Sequence, residues 1–254
     1  MTSVEGSSGG GLATWALIGG RGTDAGIGGG AHTTLVRTGR FTLTNAGAKV
    51  GLLDRVELSY TRQIFDTRSA GAALGLGRGF KLGQDVFAVK VKLIGDAIYD
   101  QPWLPQIAVG VQHKRANKDT LLRAIGARET AGTDFYISAT KLQIGSGILI
   151  GGTARLTKAN QFGLLGFGGD RNGDHSLQFE GSVGKLVTRK LLVGAELRTK
   201  PDNLGFAKEE DAFDVFAAYA IHRNVGLTAG YADLGSIATF AKQRGLYLSL
   251  QGAF

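Results

Sequence analysis

Gly6-Ser7-Ser8-Gly9-Gly10 satisfies the Gly-x-Ser-x-Gly pattern that sets a nucleophilic serine on a sharp strand-to-helix turn. Here it lies in a Gly/Ser tract with no such turn around it, which is the composition of a linker. The four histidines, His32, His113, His175 and His222, lack metal-ligand spacing, and none stands in recognisable partnership with a serine and an acid. Gly75-Leu76-Gly77-Arg78-Gly79 lacks the Gly-Lys-Ser/Thr ending of a phosphate loop. Asp170, Asn172 and Asp174 alternate like the first oxygen ligands of a calcium loop. The later Gly and Glu of that motif are missing, and turn chemistry explains the string equally well. With no cysteine in the chain, thiolate zinc and a cysteine nucleophile are excluded. The sequence therefore predicts no enzyme, no cofactor and no metal.

The remaining charges are more orderly. Glu57, Lys90, Lys92, Lys114, Arg155, Glu180, Glu196, Arg198 and Asp214 each occupy the polar face of a segment that alternates with period two. Phe87, Val89, Val91 and Leu93 alternate with Ala88, Lys90 and Lys92. At the C-terminal end, Leu246, Leu248, Leu250, Gly252 and Phe254 alternate with Tyr247, Ser249, Gln251 and Ala253. Twelve such segments are predicted, at 30–39, 41–51, 55–65, 84–95, 104–115, 133–142, 147–158, 175–185, 190–200, 211–221, 225–233 and 244–254. Their length of about ten residues is what a tilted strand needs to cross a bilayer.

Short links at 52–54, 143–146, 186–189 and 222–224 alternate with long loops at 66–83, 116–132, 159–174, 201–210 and 234–243. The link 96–103 is grouped with the short ones, and Thr120 to Arg128 suits a short helix. This alternation is the signature of outer-membrane barrels. Only Arg40 separates the first two segments, where a long loop is due, so Leu12 to Gly20 stands as an alternative first strand. Aromatics near strand ends (Phe41, Phe65, Trp103, Phe135, Phe213, Tyr219, Tyr231 and Phe254) suit girdles at the headgroups.

The composition agrees. The chain has 254 residues, 41 of them glycine, and glycine without a Gly-X-Y period excludes collagen. Hydrophobic residues at 43% exclude disorder. No run approaches a membrane helix. The first residues have neither a basic n-region nor an apolar h-region, so no signal peptide is expected, and exported origin stays open. The +8 net charge forms no basic run or aromatic-interleaved stripe, which argues against nucleic acid. Arg68, Arg78, Lys81, Lys118, Arg123 and Arg128 fall in or beside long loops, where they would meet lipopolysaccharide.

Several strings carry a resemblance: Asp54-Arg55-Val56-Glu57-Leu58-Ser59, Gly71-Ala72-Ala73-Leu74-Gly75-Leu76-Gly77 and Trp103-Leu104-Pro105-Gln106-Ile107-Ala108-Val109-Gly110. So do Thr157-Lys158-Ala159-Asn160-Gln161-Phe162-Gly163, Gly166-Phe167-Gly168-Gly169-Asp170, Arg198-Thr199-Lys200-Pro201-Asp202-Asn203-Leu204-Gly205-Phe206 and Gln243-Arg244-Gly245-Leu246-Tyr247-Leu248-Ser249-Leu250. Over nearly its whole length the chain resembles an uncharacterised proteobacterial outer-membrane β-barrel family described as a domain of unknown function. The resemblance implies location and architecture and carries no site residues. The closing Phe254 is similar to the C-terminal signal read by the outer-membrane insertion machinery.

The expectation is an all-β protein, a transmembrane antiparallel β-barrel of twelve strands, or fourteen if one pair is concealed. Residues 1–28 form a Gly-rich segment, plug or periplasmic, with Trp15, Leu17 and Ile18 as anchors, and residues 29–254 form the barrel. Lipid cannot satisfy polar groups, so the nine charges turn inward as pore-lining residues. They either brace the wall, for instance Arg198 against Asp214 or Glu180, or set an ion preference. Five are basic and four acidic, which predicts a weak anion preference. The predicted function is passive passage of small solutes or ions. The alternatives are a plugged barrel for uptake of small apolar molecules, served by inward Phe216 and Tyr136, and a non-conducting structural or adhesion barrel acting through its loops. Expected partners are outer-membrane lipid and lipopolysaccharide, the insertion machinery and small solutes.

Overall fold

The computed structural model describes residues 1–20, 26–99, 101 and 103–254. Twelve strands of eight to fourteen residues follow in order. They are β1 (Ile27–Thr38), β2 (Thr42–Leu52), β3 (Val56–Asp66), β4 (Lys81–Ile94), β5 (Gln106–Ala116) and β6 (Ala131–Gln143). Then come β7 (Ile148–Thr157), β8 (Ser176–Thr188), β9 (Leu191–Arg198), β10 (Ala212–His222), β11 (Val225–Asp233) and β12 (Arg244–Ala253). Each pairs antiparallel with the next, and β12 pairs with β1 to close the barrel.

All twelve predicted segments are strands, with ends displaced by a few residues. The first strand is real: Gly30 to Thr38 pair with β12, and Ile27 to Arg37 pair with β2. Leu12 to Gly20 is therefore not a substitute for it, and no fourteenth strand exists among the described residues. Ile27 and Gly28 pair with Leu52 and Gly51 and so belong to the wall. Consecutive glycines there hide the alternation that marks a strand. The long loops carry two short helices, α1 (Arg68–Ala73) and α2 (Asp119–Ala124), the second overlapping the first half of the expected Thr120 to Arg128. Neither is long enough to cross a membrane. Asp100 and Pro102, in the link between β4 and β5, lie outside the described residues.

The outer face is apolar and bare. Phe87, Ile137, Phe179, Val215, Leu248 and Leu250 are each about half exposed, a continuous band that water would not tolerate and lipid requires. Trp103, Phe135, Phe213, Tyr219, Tyr231 and Phe254 lie on this face. Phe41 and Phe65 do not join them. Both are buried and stack on each other at 5.1 Å, because Phe65 shares the inward parity of Glu57 on β3.

Inside, glycine and aromatic residues face each other across strands. Gly110 pairs with Tyr136, Gly194 with Phe216 and Gly230 with Tyr247. A Cβ on Gly110 would lie 2.2 Å from the Tyr136 ring, and one on Gly230 would lie 2.3 Å from Tyr247. The rings lie flat over space that only glycine leaves free. Gly110→Val forces Tyr136 off its seat, so denaturant titration of the folded barrel should read a loss of about 1–3 kcal/mol. A variant of unchanged stability would remove the ring-over-glycine account. Gly152 and Gly181 have open space where a Cβ would stand, so strand glycines do not share one cause.

Residues 1–20 enter the barrel and run along its inner wall. Val4, Glu5, Leu12, Ala13, Trp15 and Ala16 are at most 5% exposed. The segment makes only isolated bridges within itself, Thr2 with Ser8 and Gly9 with Thr14. Further backbone bonds stay within the segment, such as Ser3 N–H to Ser7 and Val4 N–H to Gly11, and side chains of the wall supply others.

Candidate functional site

Burying an irregular segment is possible only if its N–H and C=O groups find partners. Inward side chains supply them from nearly every side. Glu57 on β3 accepts the Ser8 N–H at 3.0 Å and the Gly19 N–H at 2.6 Å. Glu196 on β9 accepts Leu12 N–H at 2.8 Å, Ala13 N–H at 3.1 Å and the Trp15 indole at 3.1 Å. Glu180 on β8 accepts Thr14 N–H at 2.6 Å. Lys90 on β4 donates to Ser8 and Leu17 carbonyls, and Asn45 and Gln63 both donate to the Val4 carbonyl.

The charges form a network through the same layer. Lys114 on β5 pairs with Glu5 and, at 2.6 Å, with Asp134 on β6. Arg155 on β7 pairs with Glu180 at 2.6 Å and Asp134 at 3.5 Å, and reaches Gln112 at 2.8 Å and Thr14 Oγ1 at 2.9 Å. Arg198 pairs with Glu5 at 2.7 Å and Glu180 at 3.4 Å. Glu57 and Lys90 stand 3.3 Å apart, and Lys92 meets Asp54 at the turn after β2.

The nine residues picked from sequence are thus all buried, facing the interior. Eight bond to the N-terminal segment or pair with one another or a turn. Asp214 stands apart, facing Glu196 across the β9–β10 ladder rather than Arg198. Sequence reasoning missed Lys49, Asp134 and Glu5, all buried in the same layer. Parity along 41–51 and 133–142 marks Lys49 and Asp134 as inward, but Glu5 sits in a glycine-rich tract with no period to read. Counting them, the layer around the N-terminal segment holds six basic and six acidic side chains among the described residues, so the excess behind the predicted weak anion preference is not found there.

A long loop closes over this layer from the other rim. Residues 159–169 fold into the barrel mouth and are all buried. Gln161 and Phe162 hold positive φ at 46° and 60°, and Gly163 at 102°, a sharp reversal that aims Phe162 inward beneath Arg198, 4.5 Å from the guanidinium. Glu209, in the loop after β9, accepts the Gln161 N–H at 2.9 Å and pairs with Lys200 at 3.2 Å.

Burial pushes the Glu209 carboxyl above the ordinary carboxylate range, with Lys200 opposing and Asp202 reinforcing. Folding therefore favours its protonated form, a contribution present in full below the ordinary range and lost as pH rises through the raised value. The loop pair should tighten on acidification from neutral pH. A spin label at Lys208→Cys, in a chain with no other cysteine, should lose mobility toward pH 5, and Glu209→Gln should abolish the change. A label indifferent to pH in both proteins would contradict the assignment.

Between the N-terminal segment and the in-folded loop lies a small apolar chamber. Val4, Gly11 and Leu12 bound it on one side, Phe162, Leu164 and Leu165 on the other, and Val36, Leu43, Phe65, Asp214 and Tyr247 around the wall. Outside the loop is a second apolar chamber under α1 and α2, lined by Leu74, Leu121, Ile125 and Phe206. The two share Phe65, Leu165 and Ile237 as a partition. At the short-turn rim a wide vestibule of about 460 Å³ reaches Trp15, Leu17, Lys49, Arg189 and Lys190.

The catalytic candidates go elsewhere. Ser7 Oγ accepts from Gln112 and Ser8 Oγ from Lys49. His113 and His175 lie on the outer face near Thr133, and His32 is 3.5 Å from Thr61. Asp170 accepts the Gly205 N–H at 2.7 Å, which holds its carboxyl below the usual range, while Asn172 caps Asp174 N–H at 3.1 Å. The first ties two long loops together and the second is a turn contact. No group of three or more metal-ligating side chains occurs among the described residues.

A closed twelve-stranded barrel with a lipid-facing apolar exterior places the protein in the bacterial outer membrane. The structure is similar to that of the NanC porin, with a TM-score of 0.53 and 9% identity over 89% of this chain and 98% of that one. An outer-membrane channel from Pseudomonas putida F1 gives 0.49 and 13% over 89% and 93%. The Escherichia coli outer membrane phospholipase A gives 0.48 and 8% over 87% and 92%. The first likeness shows the fold; the other two, below 0.5, add nothing to it. No curated protein matches the sequence. The chain belongs to the family described as protein of unknown function (DUF3034), which matches residues 1–251.

Proposed function

We propose that the protein is a non-enzymatic outer-membrane transporter in which residues 1–20 act as a plug and small apolar molecules are the cargo. One observation carries the reading: the lumen contains two successive apolar chambers instead of a continuous watered path. Small ions would have to cross a layer where almost every charge is already matched and little free space remains. Apolar molecules would be drawn into the outer chamber and then into the inner one, past Phe65, Leu165 and Ile237. The loop cations would hold lipopolysaccharide around this mouth.

Equilibrium binding of naphthalene to the intact protein in lipid nanodiscs tests the reading. One saturable site above lipid partitioning is expected, and Leu164→Trp, which fills the inner chamber, should remove it. Binding that never saturates, or that ignores Leu164→Trp, would reject the chamber as a cargo site. Unplugged passage of ions, the simpler reading for a barrel of this size, predicts instead a steady conductance from the intact protein.

A further inference from the structure

The wall of the inner chamber contains a carboxyl group that no cation pairs. Asp214 is fully buried, and among the described residues no cation lies within ion-pair distance and neither oxygen accepts a hydrogen bond of ordinary geometry. Glu5, Glu57, Asp134 and Glu180 in the same lumen are all ion-paired. The nearest strand neighbour of Asp214 is another acid, Glu196, whose oxygens are already taken by Leu12, Ala13 and Trp15. Tyr247, 5% exposed, presents its hydroxyl beside the same carboxyl, with no hydrogen bond of ordinary geometry to it or to another group.

Both groups converge on Gly11. A Cβ there would lie 2.5 Å from Asp214 Oδ2 and 2.6 Å from the Tyr247 hydroxyl, so the absence of a side chain at Gly11 is what leaves room beside them. Around this polar spot the chamber is apolar, with Val36, Leu43, Phe65 and Leu164 facing it. An isolated buried carboxylate is strongly unfavourable, and this one has neither the ion pairs of Glu5, Glu57, Asp134 and Glu180 nor the backbone donors that Glu196 has. An anion would be repelled by two adjacent acids. An ammonium has three donors, and the two Asp214 oxygens with the Tyr247 oxygen offer three acceptors.

We propose that the inner chamber takes a small apolar molecule bearing a protonated amine, its hydrocarbon against the chamber wall and its ammonium on Asp214 and Tyr247. The proposal rests on the reading of the chamber as a cargo site and names the class of cargo.

A matched series separates the two. Naphthalene, 1-naphthylmethylamine and 1-naphthoate are titrated against the intact protein in phosphatidylcholine nanodiscs. The amine should bind about tenfold or more tightly than naphthalene, and naphthoate should not bind. Asp214→Asn should bring the amine down to the naphthalene level and leave naphthalene unchanged. Tyr247→Phe should cost the amine severalfold, and it serves if Asp214→Asn does not fold. Equal binding of amine and naphthalene, or an amine advantage that survives Asp214→Asn or, where that variant fails, Tyr247→Phe, overturns this inference and leaves the cargo site standing. No saturable binding of naphthalene or amine overturns both.

Discussion

A barrel lacking residues 2–20 conducts ions across a planar bilayer, with unitary conductance about tenfold or more above that of the intact protein. The expectation follows from what the segment displaces. Twelve strands enclose more space than their own side chains fill, since about eight strands already suffice for a packed interior. Here the excess is taken up by Val4, Leu12, Trp15 and their neighbours. Once they leave, water enters and hydrates Glu57, Glu180 and Glu196, which lose their backbone partners but gain solvent. Glu5 leaves with the segment, so the opened lumen keeps six cations against five acids and should discriminate little between ions. A truncated barrel that still shows heat-modifiable migration, and so is folded, yet stays silent would refute the plug. So would an intact protein that conducts as well as the truncated one.

Arg155→Met is the point substitution with the largest expected cost to the folded barrel, about 3–5 kcal/mol. Arg155 touches both the wall and the inserted segment: Glu180 and Asp134 as ion pairs, Gln112 and Thr14 as hydrogen bonds, and the Tyr136 ring at 4.7 Å. Methionine matches much of its length but leaves Glu180 with Arg198, at 3.4 Å, as its remaining cation. The uncompensated charge, rather than the lost volume, dominates the cost. Urea unfolding followed by the loss of heat-modifiable migration reads the shift. A midpoint within error of the wild type would mean the network is hydrated and contributes little. Lys92→Met is the contrast: its partner Asp54 lies at a turn and is part-exposed, so its loss should be small.

The wall was legible because lipid on one side and polar groups on the other enforce period two along each strand. Phe87 to Leu93 shows it without ambiguity, and the inward charges follow by parity. Phe65 shows the same rule neglected: its position alternates with Leu58 and Tyr60, so it points inward, where a girdle was expected. Ile27 to Gly30 had no side-chain contrast to read. The path of residues 1–20 and of 159–169 is set by single hydrogen bonds to distant strands, such as Thr14 to Glu180 across 166 positions. No local pattern encodes such partners. The chambers are products of that long-range folding, so neither they nor the isolation of Asp214 could be seen in the order of residues.

The seam between β1 and β12 joins the two ends of the barrel, and the Thr34 hydroxyl donates to Ser249 across 215 residues. Contacts so remote in sequence form late, because loop-closure entropy opposes them until the intervening hairpins exist. The interior segment lies directly ahead of β1, so it must already be aboard when the last strand arrives. Assembly is then a sheet curling around a guest and being fastened behind it, with the guest's hydrogen-bonding groups drawing β3 to β9 into their curvature. The order in which the protein is built, and not only its finished interior, depends on its first twenty residues.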